Sequence, residues 1–214
     1  MIDQEPIFIA GPPRSGTTMT AGLLFHHGVW IGRARTTFFP ESNSNLGVEN
    51  MDIKDLMKRE ARKVSYKNWC IPLPTDLHLT TNYASLKREI ESFVPDKIPW
   101  LVKTSWTLTF NSFWKSVYPK ARWVLTMRPD FAILDSMNRH PGMRRRPQHM
   151  KKQFVKALKE RQRQVFLKVK HSLSVDVKEI SKGNESEIAK LFDFVGIVPN
   201  WDVIEQWIEP GKMQ

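Results

Sequence analysis

The sequence predicts an α/β fold: three layers, with a central, mainly parallel sheet flanked by helices. Three observations carry that expectation. Short apolar runs alternate with segments whose apolar residues recur at helical spacing, the pattern of strand–helix–strand units. The first run ends in a glycine-spaced turn that opens directly into a helical segment. The chain has 214 residues, 41% of them hydrophobic and 26% charged, which suits one domain over residues 1–214 with a real core.

Pro6-Ile7-Phe8-Ile9-Ala10-Gly11 reads as a buried strand, and Thr17–His27 as the helix that follows the turn. Gly28-Val29-Trp30-Ile31-Gly32 is a second short apolar piece, bounded by glycines. Residues 33–50, rich in Thr, Ser, Asn, Pro and Gly, read as a loop. Asp52–Val64 carries Ile53, Leu56, Met57, Ala61 and Val64 on one helical face. The stretch 65–82 is irregular, and Tyr83–Phe93 is helical. Pro99–Lys103 predicts a third strand with a short helix, Phe110–Val117, behind it. Arg122–Met127 predicts a fourth, followed by a helix from Phe131 to Arg139 that stops before Pro141. Lys151–Lys170 is a long helix with one apolar and one strongly basic face. Val175–Val177 closes the strand list, and a last helix through Ile188, Leu191, Phe192 and Val195 ends at Gly196.

Charge narrows the function classes. The formal net charge is +11, and it is concentrated: residues 120–170 hold 15 Lys+Arg against Asp130, Asp135 and Glu160. A block of this kind faces an anionic partner, either nucleic acid or a phosphate-rich small molecule. The apolar runs are far too short to span a membrane. The first residues carry two acids and no basic stretch, so a secretory signal is not expected. A single cysteine, Cys70, rules out an internal disulfide and a cysteine-based zinc site. A cytoplasmic protein is the expectation.

Gly11-Pro12-Pro13-Arg14-Ser15-Gly16-Thr17-Thr18 lies between a predicted strand and a predicted helix. There, successive backbone N–H groups and the positive end of the helix dipole suit a phosphate. The spacing nearly matches the nucleoside-triphosphate loop, but Thr17 stands where its lysine belongs. None of the predicted strands ends in the acid that such enzymes use to hold Mg²⁺. Lys103 and Arg128 occupy strand ends instead, beside the loop's Arg14. The loop therefore reads as one for a terminal phosphate next to a group that needs cations but no metal.

At these residues the chain resembles the sulfotransferase family. Phe8–Thr18 looks like its 5′-phosphosulfate loop, nearest the bacterial and tyrosylprotein-type branch. Trp123-Val124-Leu125-Thr126-Met127-Arg128-Pro129 with Ser136 is similar to its 3′-phosphate element, and Arg139 fits a basic residue found there. Trp100–Lys103 resembles the branch's strand-end lysine segment, and 175–196 its closing strand and helix. The resemblance implies a P-loop-like sulfotransferase fold. It also implies sulfuryl transfer from 3′-phosphoadenosine 5′-phosphosulfate (PAPS) to a hydroxyl or amine, leaving 3′-phosphoadenosine 5′-phosphate (PAP). Under it, Arg14, Ser15, Gly16, Thr17 and Thr18 hold the 5′ end, while Arg128, Ser136 and Arg139 hold the 3′-phosphate. Lys103 and Arg14 stabilise the transferred group; one well-aimed donor on developing charge is worth roughly 3–4 kcal/mol.

A general base for the acceptor is also required. The segment Gly32-Arg33-Ala34-Arg35, where the tyrosylprotein branch has its glutamate, carries no acid. Glu49 and Glu41 are the nearest carboxylates, with Glu49 slightly favoured; His26, His27, His78 and His140 are weaker candidates. Trp30, Trp69 and Trp106 are candidates for an acceptor pocket. The acceptor itself (sugar, lipid, phenol or peptide) has no signature in the chain. The chain is short for the family, so acceptor-covering parts are trimmed or come from a second subunit of a homodimer. Two other classes compete: a P-loop nucleotide or metabolite kinase, disfavoured by Thr17, and a nucleic-acid binder using 120–170, disfavoured by the lack of a recognition module. A sulfotransferase-like protein that binds the nucleotide but has lost its chemistry is a third reading.

Overall fold

A computed structural model describes residues 5–35, 47–64, 79–96, 98–104 and 106–208. Four strands, β1 (Ile7–Ala10), β4 (Leu101–Val102), β5 (Arg122–Met127) and β6 (Ser172–Asp176), form one sheet in the order β4-β1-β5-β6. Every pairing in it is parallel. Trp30 adds a single parallel bridge to Trp100 at the β4 edge, so the predicted strand at 28–32 shrinks to one paired residue. Gly28 and Gly32 both have positive φ and turn the chain away on either side of it.

Side chains alternate between two cores, as strands covered on both faces require. Phe8, Ala10, Trp100, Val102, Trp123 and Leu125 pack on one face. The helices against them are α2 (Met51–Lys63), α3 (Tyr83–Glu91), α4 (Asn111–Val117), α5 (Asp130–Arg139) and α6 (Gln148–Lys168). Phe8 is the centre of an aromatic cluster, with Trp123 at 4.5 Å and Trp114 at 5.1 Å between ring centroids. Ile7, Ile9, Leu101, Val124 and Val175 face the other way. There they meet α1 (Thr17–Phe25), α7 (Val177–Ser181), α8 (Glu185–Val195) and α9 (Trp201–Trp207).

The structure departs from the sequence reading in three further places. The predicted loop 33–50 contains a small antiparallel ribbon, β2 (Ala34–Arg35) with β3 (Gly47–Asn50), which leads straight into α2. Alternation in so short a pair is too brief to register as a strand. The last strand starts earlier than expected, at Ser172, and ends at Asp176, whose carboxylate accepts from Lys178 N and Glu179 N and so starts α7. α9 was also not anticipated. Asn200 caps it, and its Trp207 donates to Met19 O at 3.1 Å, filling the space a Cβ at Gly22 would need. No helix among the described residues is long and apolar enough to cross a membrane.

The parallel arrangement decides where chemistry can occur. β1 lies between β4 and β5, so the residues just past their C-terminal ends share one edge of the sheet. Those residues are the turn from Gly11, Lys103 and Arg128. Open parallel sheets bind ligands at that edge.

Candidate functional site: an anion-binding sheet edge

Between β1 and α1 the backbone makes a tight loop, closed by the Ser15 N–H donating to Pro12 O at 3.1 Å. Arg14 at its tip has φ 69°, a left-handed conformation rare outside glycine. Gly16 (φ 92°) has no room for a side chain, because a Cβ there would overlap Val177. A Cβ at Gly11 would overlap the Thr126 and Ser15 hydroxyls. α1 then starts with no acid in its first turn and no side-chain cap. The N–H groups of Thr17 and Thr18 lie in that first turn, where a helix has no internal acceptor to offer.

Ser15 differs from its sequence-based role. Its side chain is fully buried, its hydroxyl lies 2.7 Å from Thr126 Oγ1, and its N–H is spent on Pro12. It braces the loop rather than facing out of it. Thr17, Thr18 and Gly16 stay at the open, half-buried mouth.

Arg14, Arg128, Ser136 and Arg139 come together across more than a hundred residues of chain. Arg14 Nε donates to Ser136 Oγ at 3.0 Å, and Arg128 Nη1 donates to the Arg14 carbonyl at 2.9 Å. Arg139 is held by Asp135, one helical turn back. Burial, then the Arg128 and Arg139 charges, push the Arg14 pKa below its ordinary value. Burial and Arg139 do the same to Arg128, with Asp135 partly opposing. Two guanidinium groups whose charge is disfavoured by burial and by a neighbouring arginine make a candidate place for an anion. Lys159 of α6 supports the cluster from below, donating to Arg128 O at 2.8 Å and pairing with Asp130.

On the other side of the loop, Lys103 is buried at the end of β4. Its Nζ is 3.5 Å from Glu49 Oε1, and the other oxygen of Glu49 is paired with Lys54 of α2. Burial lowers the Lys103 pKa; Glu49 opposes this, while Lys54 and Arg14 add to it. Arg14 therefore feels the charge of Arg128 on one side and acts on Lys103 on the other. For Glu49, burial works to raise the carboxyl pKa, but the charges and hydrogen bonds of Lys103 and Lys54 outweigh it and hold the group below its ordinary value.

Of the other candidates, Glu41, His78 and Trp69 lie outside the described residues. His26 and His27 sit at the far end of α1 from the loop. His26 packs on Trp207, while His27 donates from Nδ1 to Leu23 O and accepts the Asn200 N–H at Nε2. His140 is beside the arginine cluster, its pKa lowered by burial and by Arg14, and its Nδ1 accepts the Gly142 N–H. Trp106 is buried against Phe110, and Trp30 is half-buried beside the larger core. Arg144, Arg145 and Lys152 are exposed.

Sequence reasoning missed Lys54, Thr126, Lys159 and Gln162. For Gln162 a signal existed: it interrupts the apolar stripe of α6 between Leu158 and Val165, and a polar residue on a core stripe has a partner to find. Lys54 had none, since it looks like any helix-surface lysine until β3 places Glu49 beside it.

The fold and this edge define an α/β protein with a strand–turn–helix loop flanked by strand-end cations. The sulfotransferase family profile matches residues 6–202, and the chain belongs to that family. Solved structures agree at the level of fold. The sulfotransferase domain from the Synechococcus PCC 7002 olefin synthase matches with a TM-score of 0.60 at 14% identity, covering 100% of this chain and 80% of that one. Sulfotransferase STF9 from Mycobacterium avium gives 0.60 at 13%, covering 96% and 68%. The sulfotransferase domain from the curacin biosynthetic pathway gives 0.58 at 13%, covering 99% and 80%. No curated protein matches the chain in sequence.

Proposed function

We propose that this chain transfers a sulfuryl group from PAPS to a hydroxyl or amine of an acceptor. The observation that carries this reading is the convergence of two cationic clusters on one phosphate loop. Arg14, Arg128 and Arg139 with Ser136 lie on the β5 side, and buried Lys103 lies on the β4 side. A donor with a 5′-phosphosulfate and a 3′-phosphate needs such a pair of sites. The residues fit it: Thr17, Thr18 and the α1 N-terminus for the 5′-phosphate, Arg128 and Ser136 for the 3′-phosphate, with Arg14 between them. Arginine suits the gripping role because its planar fork meets two phosphate oxygens at once.

The donor supplies an activated sulfuryl group. What the chain supplies is positioning and preorganised charge. Lys103 is held by Glu49 before any ligand arrives, so its ammonium reaches developing charge without reorganising. Glu49, which reaches Lys103 from β3, is the carboxylate candidate we assign to accepting the acceptor's proton. Its pairing with two lysines keeps it ionised at neutral pH, which a proton acceptor requires, while making it a weak base. The charge on this edge also offers a use for part of the 120–170 excess, with nucleic acid the weaker alternative.

The test compares thermal stabilisation by PAP with that by ATP–Mg²⁺, followed by transfer from sulfur-labelled donor to a panel of sugars, lipids, phenols and peptides. Stabilisation by PAP alone and labelled product from at least one acceptor class are expected. Stabilisation by ATP–Mg²⁺ alone would replace this reading with the kinase one.

A further inference from the structure

Gln162 lies mid-way along α6, 3% exposed, with its amide turned into the sheet. Its Nε2 donates to Thr126 O at 3.0 Å and to Ala10 O at 3.4 Å. These carbonyls belong to the last residue of β1 and the last but one of β5. The next residue after Ala10 opens the phosphate loop, and the second residue after Thr126 is Arg128. Thr126 also holds the loop from the side: its Oγ1 is 2.7 Å from Ser15 Oγ and donates to Ala10 O at 3.5 Å. One amide and two hydroxyls thus tie together the points at which the two halves of the anion site leave the sheet.

The position of this knot matters. The β1–β5 register runs from Ile7↔Arg122 to Ala10↔Leu125 and stops there. Beyond it no ladder bond fixes how far the loop and the Arg128 segment splay apart. A buried amide is costly unless it is bonded. Its neighbours one turn away on α6, Leu158 and Val165, are apolar, and the helix's other buried polar side chains, Lys151 and Arg161, turn to Asn138 and to Thr109 O instead. For packing alone a leucine would serve better. Among the described residues its Nε2 reaches two carbonyls, both where strand gives way to site.

We propose that Gln162 is a specificity-determining residue. It sets the separation between the phosphate loop and Arg128, and so favours nucleotides carrying both a 5′ and a 3′ anionic group over those carrying one. The inference rests on the donor reading above and adds to it a residue outside the ligand's reach. A ligand that engages two sites gains from the second only when their spacing matches its own. A loosened spacing therefore penalises the doubly charged ligand and leaves the singly charged one almost untouched. A residue that merely supports the fold weakens both alike.

The experiment is calorimetric titration of the full chain and of Gln162→Leu with PAP and with adenosine 5′-monophosphate, alongside melting temperatures. Wild type is expected to prefer PAP. In Gln162→Leu that preference falls about fivefold or more, the factor that one ordinary hydrogen bond is worth, while affinity for the monophosphate holds. Should Gln162→Leu fail to fold, Thr126→Val keeps the shape, removes the hydroxyl that joins the loop to the strand, and is expected to lower the preference likewise. An unchanged preference in a folded variant, or an equal loss for both nucleotides, overturns the proposal and leaves the donor reading standing. No preference for PAP in wild type overturns both.

Discussion

Replacing Lys103 with methionine separates chemistry from binding. The methionine keeps most of the apolar stem of a side chain that is only 9% exposed, and removes the ammonium. The attraction lost is that of a pair 3.5 Å apart, at most about 5 kcal/mol at an effective dielectric of 20. Against this stands the penalty for burying the ammonium, several kcal/mol, which the variant no longer incurs. Glu49 is not orphaned, because Lys54 remains on its second carboxylate oxygen. The two large quantities nearly cancel, so stability should change by no more than about 2 kcal/mol. Catalysis has no such compensation. Loss of a preorganised cation on developing charge is worth about 3–4 kcal/mol, a fall in kcat of roughly 10²- to 10³-fold. PAP lacks the sulfuryl group, so its affinity should hold. The assay is single-turnover transfer from labelled donor to the acceptor found in the panel, or donor hydrolysis without one, with calorimetry of PAP beside it. A folded variant whose kcat stays within a factor of a few of wild type would remove Lys103 from the charge-stabilising role. A parallel loss of PAP affinity would make it a binding residue instead.

Arg128→Ala should have the opposite profile, weakening PAP by about 10- to 100-fold through loss of a charge-assisted contact, as read by calorimetry. Glu49→Gln removes the group that raises the Lys103 pKa and leaves burial, Lys54 and Arg14 lowering it, so the alkaline limb of the kcat–pH profile moves to lower pH. The stability signs follow from the same groups. Glu49 is depressed, so its contribution is full above its ordinary 4.5 and is lost as pH falls through its lower folded value. Lys103 is also depressed, so the cost of its buried charge is present at low pH and is relieved as pH climbs from its folded value toward 10.5; urea unfolding across pH reads both. Gly16→Ala should destabilise by about 1–2 kcal/mol for the left-handed backbone, with a further packing cost against Val177. In urea unfolding, its combination with Val177→Ala should lose less than the sum of the two single variants, because the second makes room for the added methyl.

Much of this architecture is legible in the sequence. The runs at 6–11, 99–103 and 122–127 are continuous apolar stretches of the kind a doubly covered parallel strand needs, and all three lie in the sheet. Gly11 and Gly16 announced the loop by spacing, and the apolar period of α2 announced its buried face. On α6 the period found Phe154, Val155, Leu158 and Val165, but Phe166 is exposed and Lys151, Arg161 and Gln162 are buried. Such signals are local: a residue's neighbours within one or two turns decide whether it is strand, turn or helix. What failed was short or conditional. β2 and β3 are too brief for a period, and α7 and α9 depend on the capping residues Asp176 and Asn200 more than on any pattern.

The linear chain determines which groups are available: a glycine-spaced loop without the kinase lysine, an arginine and a lysine at strand ends, and a serine one helix later. Their arrangement belongs to the tertiary structure. Glu49 and Lys103 are 54 residues apart, and Arg14 and Ser136 are 122 apart. Only the parallel order β4-β1-β5 brings their strand ends to one edge. The same packing turned the Ser15 hydroxyl inward to Thr126, made Lys54 a partner of Glu49, and placed the Gln162 amide beneath both halves of the site. Electrostatic and hydrogen-bond energies depend on distances of a few ångströms between groups far apart in sequence, and those distances exist only once the two cores have closed around the sheet.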